Sequence, residues 1–310
     1  MTEVLEGRIA RARRDILLAQ FVDRSTEMTQ FAKLLDSNEQ PIMVVSADTG
    51  MGKTSLMMRM VHECALRRLL KAELEWTDQG VLDYLAVMRK LRDSLGVDHF
   101  SAFTDLVNYY TEPNYTPRVD ININLQGSIQ VAGGAQISGS SVRDIAAVVL
   151  RDNNFAFQRT DIPVPLELRG QQLTQRFLEG LVKLSAEQTI ILFFNVTEKM
   201  SDITYQWLWD QLLMPVVDDG ALSNVRAILL GQRPPPTDRG LAKFMVYAQL
   251  KPLSVDDIDA YIARRTAGKI ELSNERRRGM AEIMADVTDG QPSKIAFQVD
   301  KYLTKNNVPL

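Results

Sequence analysis

The chain has 310 residues, 45% of them apolar and 24% charged, with one cysteine and a formal net charge of -3. That length and apolar content suit one large domain plus a small one. The lone Cys64 excludes an internal disulfide framework, and the acidic balance excludes a global basic footprint for nucleic acid. No stretch approaches the ~20 apolar residues of a membrane span, and the first twenty residues carry charges throughout, so a cytoplasmic protein is the expectation.

Residues 1–20 read as an amphipathic helix. Leu5, Ile9, Ala12 and Ile16 fall on one face, with Arg8, Arg11, Arg13 and Arg14 around the rest. Such a helix either packs its stripe on the core or offers a basic surface to a partner. Ser25 then caps a helix whose face is Met28, Phe31, Leu34 and Leu35. Ile42 to Val45 is an apolar run of the kind that forms a buried parallel strand.

Directly after it comes Ala47-Asp48-Thr49-Gly50-Met51-Gly52-Lys53-Thr54, with Ser55 opening a helix. Strand, glycine-rich turn and helix are the context of a phosphate-binding loop. Gly50 and Gly52 let backbone N–H groups converge on phosphate oxygens, and the helix N-terminus adds a favourable dipole. Lys53 is expected at the terminal phosphates and the Thr54 hydroxyl on Mg²⁺. Ala47 stands where the motif usually begins with glycine, which costs little if its φ is negative.

A second strand is expected over 71–76 and helices over 79–95 and 98–110. Cys64 lies on the apolar stripe of the preceding helix and reads as a core thiol, while His62 and His99 are too scattered for a metal site. Pro113 and Pro117 end the helical pattern. Ile121, Ile123 and Leu125 alternate with polar residues, and glycines and serines follow. Residues 111–141 therefore read as an insertion, either a ribbon or flexible segment or a strand-pairing arm.

A Leu-rich helix through Leu173 to Leu184 precedes the strand Thr189 to Phe194, and another strand runs Val225 to Leu230. The first of these ends at Asn195, where an Asp normally holds Mg²⁺. An amide keeps a carbonyl oxygen there but loses the charge. Glu198 reads as the group that polarises an attacking water, or as a helix N-terminal acid. Arg233 reads as a sensor of the terminal phosphate, or as a surface arginine at a strand end. A helical piece follows from about residue 248, with Ser254 ahead of Asp256 and Asp257 at a helix start.

These motifs in this order resemble the STAND-type ATPases, AAA+-related bacterial signalling P-loop NTPases. Phe21-Val22-Asp23-Arg24 with Glu27 resembles their N-terminal F-V-G-R-E box. Phe193 to Glu198 resembles the acidic strand end, Leu229 to Arg233 the sensor strand, Leu250 to Ser254 the entrance to the lid, and Gly290-Gln291-Pro292 the lid's G-x-P. The resemblance covers about residues 21–305. It implies a P-loop NTPase α/β fold, a parallel sheet with helices on both faces, plus a small C-terminal helical lid. The divisions are an N-terminal helix at 1–20, a core at 21–247 and a lid at 248–310. It implies ATP and Mg²⁺ as ligands. The nucleotide is expected on Phe21, Val22, Arg24, Gly50, Met51, Gly52, Lys53, Thr54, Ser55 and Pro292, and the metal on Thr54 and Asn195, with Glu198 and Arg233 at the chemistry. Pro292 is expected near the adenine. The implied function is an ATP-binding switch with slow hydrolysis, acting through self-association or a partner effector and without nucleic acid. The competing readings are a non-hydrolysing nucleotide-dependent scaffold and an origin-initiator type of DNA loader, which the acidic charge disfavours.

Overall fold

The computed structural model describes residues 15–76, 83–112, 115, 128–130, 136–138, 166–218, 220–236 and 240–306. After a helical segment at 15–20 (α1), the elements run α2 Ser25–Asp36, β1 Ile42–Ser46, α3 Lys53–Leu66, β2 Leu70–Glu75, α4 Tyr84–Leu95 and α5 Ser101–Thr111. A short antiparallel ribbon, β3 Ser128–Gln130 with β4 Gln136–Ser138, lies in the expected insertion. The alternation at Ile121 to Leu125 is outside the described residues. Then come α6 Leu166–Glu187, β5 Ile190–Asn195, α7 Asp202–Trp207, β6 Val225–Gly231, β7 Met245–Gln249, and α8 Val255–Thr266, α9 Asn274–Thr288 and α10 Pro292–Lys305.

Five strands form one parallel sheet in the order β2-β5-β6-β1-β7. The three central strands read as continuous apolar runs because both faces are covered. Ile42, Val44, Leu192, Phe194, Ala227 and Leu229 go to the core under α4 to α7. The alternate residues Met43, Val45, Ile191, Phe193, Ile228 and Leu230 go to the core under α2 and α3. Each large apolar side chain fully buried in this way contributes about 2 kcal/mol. The two edge strands are more polar. β2 carries a Lys71–Glu73 ion pair at 2.6 Å, and β7 exposes Tyr247.

Strand β7 and the helical run after β5 were not legible in the sequence. β7 is a five-residue edge strand with only one covered face, and it runs to Gln249, across the expected division at 247/248. α7 continues through a π-helical turn, Leu208–Leu213, in which all six residues are buried, so no amphipathic period marks it. Of the expected N-terminal stripe, Ile16 is described and is 54% exposed. Leu5, Ile9 and Ala12 are outside the described residues.

Cys64 is fully buried among Leu56, Met60 and Val61, and burial pushes its thiol up to about 12, so it is an inert core residue. Among the described residues no helix is long and apolar enough to cross a membrane, and no three His, Cys, Asp or Glu are grouped to hold a metal.

The last three helices close a separate small core of Ile258, Ile262, Ala281, Ile295, Val299 and Leu303, joined by Leu253 and by Val22 from far up the chain. α8 opens with a capping box between Ser254 and Asp257, as the sequence signals. Gly290 links α9 to α10 at φ 67°. A Cβ there would lie 2.6 Å from the Leu253 carbonyl oxygen and 2.9 Å from Pro252 Cβ. The Leu253 N–H donates to the Gly290 carbonyl at 2.8 Å, so backbone meets backbone and neither side has room to yield. Gly290→Ala is expected to cost about 2 kcal/mol in strain and lower the melting temperature by roughly 5 °C in calorimetry. An unchanged melting temperature would show that this approach is not tight.

Candidate functional site

All five strands are parallel, so the loops following β1, β5 and β6 emerge at the same sheet edge, where open α/β sheets bind ligands. The glycine-rich loop leaves β1, one of the three interior strands, and runs into α3. Ala47 is buried and has no positive φ, so the missing first glycine costs the backbone nothing. Gly50 stands at φ 83°, where an L side chain is strained. The first-turn amides of α3, on Lys53, Thr54 and Ser55, precede any intrahelical acceptor and face outward from the helix end. Lys53 is 9% exposed, and its Nζ donates to the carbonyls of Ala47 at 2.6 Å and Asp48 at 3.1 Å. The loop thus folds around its own lysine.

The N-terminal box crosses the molecule. Phe21 packs against the α2–α3 core, while its neighbour Val22 belongs to the core of the last three helices. Asp23 and Arg24 turn the chain at φ 59° and 69°. Left-handed φ at Asp23 explains why glycine suits that position, and aspartate is among the few side chains that tolerate it. Arg24 is 5% exposed. It donates to the Met51 carbonyl of the loop at 3.1 Å and to the Lys251 carbonyl at 2.9 Å. One buried guanidinium therefore spans the loop and the start of the C-terminal helical piece, and Arg264 of α8 donates to the Phe21 carbonyl from the other side.

At the end of β5, Asn195 is fully buried. Its Nδ2 donates to Glu75 Oε1 at 3.1 Å, and its Oδ1 accepts the Val196 N–H at 3.1 Å. Glu198 Oε2 accepts the Gln232 N–H at 3.1 Å, which ties the acid to the end of β6. Arg233 is turned away from the loop. It pairs with Asp202 at 2.6 Å, donates to the Met200 carbonyl at 3.3 Å and lies 3.9 Å over the Tyr205 ring.

The first turn of α10 rests on the glycine-rich loop. Ser293 N–H donates to the Gly50 carbonyl at 3.1 Å, and Gln291 Nε2 donates to the Thr49 carbonyl at 2.8 Å. Pro292 Cγ stands over Gly52, and Ser293 Oγ fills the space where a side chain on Gly50 would go.

Between these parts lies a cavity of about 490 Å³, within the size range of small-molecule sites. The loop residues Gly50, Met51, Gly52, Lys53, Thr54 and Ser55 form its floor, with Asn195 and Glu198 on the sheet side. Phe21, Val22, Leu253 and Tyr261 line it with apolar surface, and burial raises the Tyr261 hydroxyl above its usual range. Pro292 and Ile295 close it from α10. Every residue expected at the nucleotide lines this cavity, Arg24 included, as do Thr54, Asn195 and Glu198; Arg233 does not. Leu17, Lys199, Tyr261 and Ile295 line it without having been singled out in the sequence. Leu17 and Ile295 carry only a helical-core signal, and Lys199 and Tyr261 sit in no motif.

A parallel sheet with helices on both faces and a glycine-rich loop running from an interior strand into a helix is a P-loop NTPase α/β fold. Cdc6p from Pyrobaculum aerophilum matches over 93% of this chain and 64% of its own, at 12% identity and a TM-score of 0.50. A Walker-type ATPase of Pyrococcus abyssi matches over 93% of this chain and 69% of its own, at 16% identity and a TM-score of 0.49. A STAND protein with a tetratricopeptide repeat sensor from Pyrococcus horikoshii matches over 88% of this chain at 14% identity and a TM-score of 0.43. The chain spans 28% of that protein's length. At these identities the likeness is one of fold. No family model and no curated protein sequence matches the chain.

Proposed function

We propose that the chain is an ATP-binding switch of the STAND type, in which the α8–α10 bundle is a lid that reports what the glycine-rich loop holds. The observation that carries this reading is the pair of bonds from α10 to the loop carbonyls of Gly50 and Thr49. A ligand that reshapes the loop acts directly on the lid, and a switch needs such differential contact with two conformations.

The residues fit a nucleoside triphosphate. Among the described residues, Arg24, Lys53 and Lys199 bring three cations to the cavity against the single carboxylate of Glu198, and the α3 N-terminus adds its amides. Lys53 binds the terminal phosphates, and the apolar wall around Phe21, Val22 and Tyr261 takes the base. Thr54 and Asn195 would hold Mg²⁺, which when bound neutralises charge on the terminal phosphates. Glu198 orients and deprotonates water, and the Gln232 amide fixes its carboxylate. A second copy of the chain or an effector protein reads the lid's position.

Asn195 favours slow hydrolysis, and it also supports the second reading of a non-hydrolysing scaffold. Calorimetric titration with ATP and ADP, followed by phosphate release at saturation, tests both. Tight binding with turnover far below ~1 s⁻¹ is expected for the switch; retained ATP with no release supports the scaffold, and no binding refutes both.

To act as a sensor, Arg233 must exchange Asp202 and Tyr205 for a phosphate. Arg233→Ala should therefore lower the ratio of ATP to ADP affinity by only about fivefold, near one charge-assisted bond offset by the pair it gives up. Pro292→Ala should weaken both nucleotides alike, since it rests on the loop that both occupy. Equal losses for ATP and ADP in the Arg233 variant would remove the sensor role.

A further inference from the structure

Parallel pairing of β2 with β5 sets Glu75 directly beside Asn195, at the strand ends where the cavity begins. The alignment continues one step further, where the Trp76 N–H donates to the Asn195 carbonyl at 3.3 Å. Within this register the Glu75 carboxylate holds the Asn195 amide at 3.1 Å. Asn195 is fully buried while Glu75 is exposed. The other end of the amide takes the Val196 N–H, at a residue forced to φ 61°. Asn195 is thereby fixed in orientation by two partners. The negative charge that this strand end lacks stands one strand over and is hydrogen-bonded to it.

We propose that Glu75 is the positioning carboxylate of this site, holding the buried Asn195 amide and supplying through it the negative charge of the metal side. Glu75 does not line the cavity, so it acts through Asn195. An amide on β5 and an acid on β2 together take the place of a single carboxylate at the end of β5. The metal half of this proposal rests on the nucleotide-binding reading; the pairing itself does not.

Restoring an acid at position 195 alone has a cost in this arrangement. Asn195→Asp would place a second carboxylate against Glu75 in a buried position, and like charges that close are unfavourable. The variant should lose stability before it gains any function.

The test combines single and double variants of the full chain. In nucleotide-free protein, Asn195→Asp should lower the melting temperature by about 4 °C, and Glu75→Gln/Asn195→Asp should recover most of it. Glu75→Gln alone keeps an acceptor for Asn195 and removes the charge. Calorimetry should then show Mg²⁺-ATP binding weakened roughly three- to tenfold, as expected for a screened charge at this range. ATP without metal should bind more tightly, because a negative charge near the phosphates is gone. Opposite shifts with and without Mg²⁺ are not produced by a merely structural role. In the double variant Mg²⁺-ATP should bind more tightly than in wild type, since the carboxylate then faces the cavity.

If the double variant is no more stable than Asn195→Asp, the pairing is overturned. If Glu75→Gln weakens ATP equally with and without Mg²⁺, the electrostatic role is overturned. Wild-type protein that binds no ATP at all overturns the nucleotide reading and the metal half with it, while the thermal cycle still decides the pairing.

Discussion

Lys53→Ala is expected to weaken ATP binding roughly 100-fold while leaving the fold in place. A charge-assisted bond to phosphate contributes up to about 3 kcal/mol, and no other loop side chain carries a flexible cation. Lys53 is nearly buried yet anchored only to two carbonyls of its own loop. Its removal therefore frees those carbonyls and also removes the desolvation of a charge. The melting temperature should move by no more than about 2 °C. An unchanged ATP affinity would sink the assignment of this turn as a phosphate site.

Arg24→Ala has the larger structural consequence. Two charge-assisted bonds join the Met51 carbonyl of the loop and the Lys251 carbonyl ahead of α8 through this one side chain. Losing both in a buried setting costs about 3 kcal/mol and should lower the melting temperature by roughly 8 °C. Arginine, alanine and lysine all bear the same left-handed φ at position 24, so the variants read the side chain, and Arg24→Lys is the informative partner variant. A lysine ammonium is a point donor and does not reproduce the planar fork that reaches both carbonyls. The lysine variant should recover less than half the loss. Full recovery would mean that charge alone matters there and that the bridge to the helical bundle does not.

Much of this architecture was legible in the sequence because the informative segments were locally consistent. Ile42 to Val45, the glycines and the Lys53-Thr54 pair announce strand, loop and helix together, and β5 and β6 are apolar enough to be read as buried strands. What escaped depends on partners distant in the chain. The π-helical turn of Leu208–Leu213 is buried all round and shows no period. β7 becomes a strand by pairing with β1, with little pattern of its own. Glu75 reads as an ordinary polar end to β2 until the register with β5 sets it on Asn195. Arg233 sits where a phosphate sensor is expected from the sequence, but Asp202 and the Tyr205 ring hold it elsewhere. Side-chain direction at a strand end is a tertiary property, and spacing alone does not encode it.

The coupling between loop and lid is most directly tested by amide hydrogen exchange over residues 47–56 and 288–296, in nucleotide-free protein and with saturating ADP or Mg²⁺-ATP. A lid that reports the nucleotide changes the protection of the Ser293 amide and the first turn of α10 together with that of the loop, and ATP and ADP give different patterns. Clear protection of the loop by both nucleotides, with the α10 segment identical in all three states, would show that the site binds nucleotide without moving the lid and would contradict the switch.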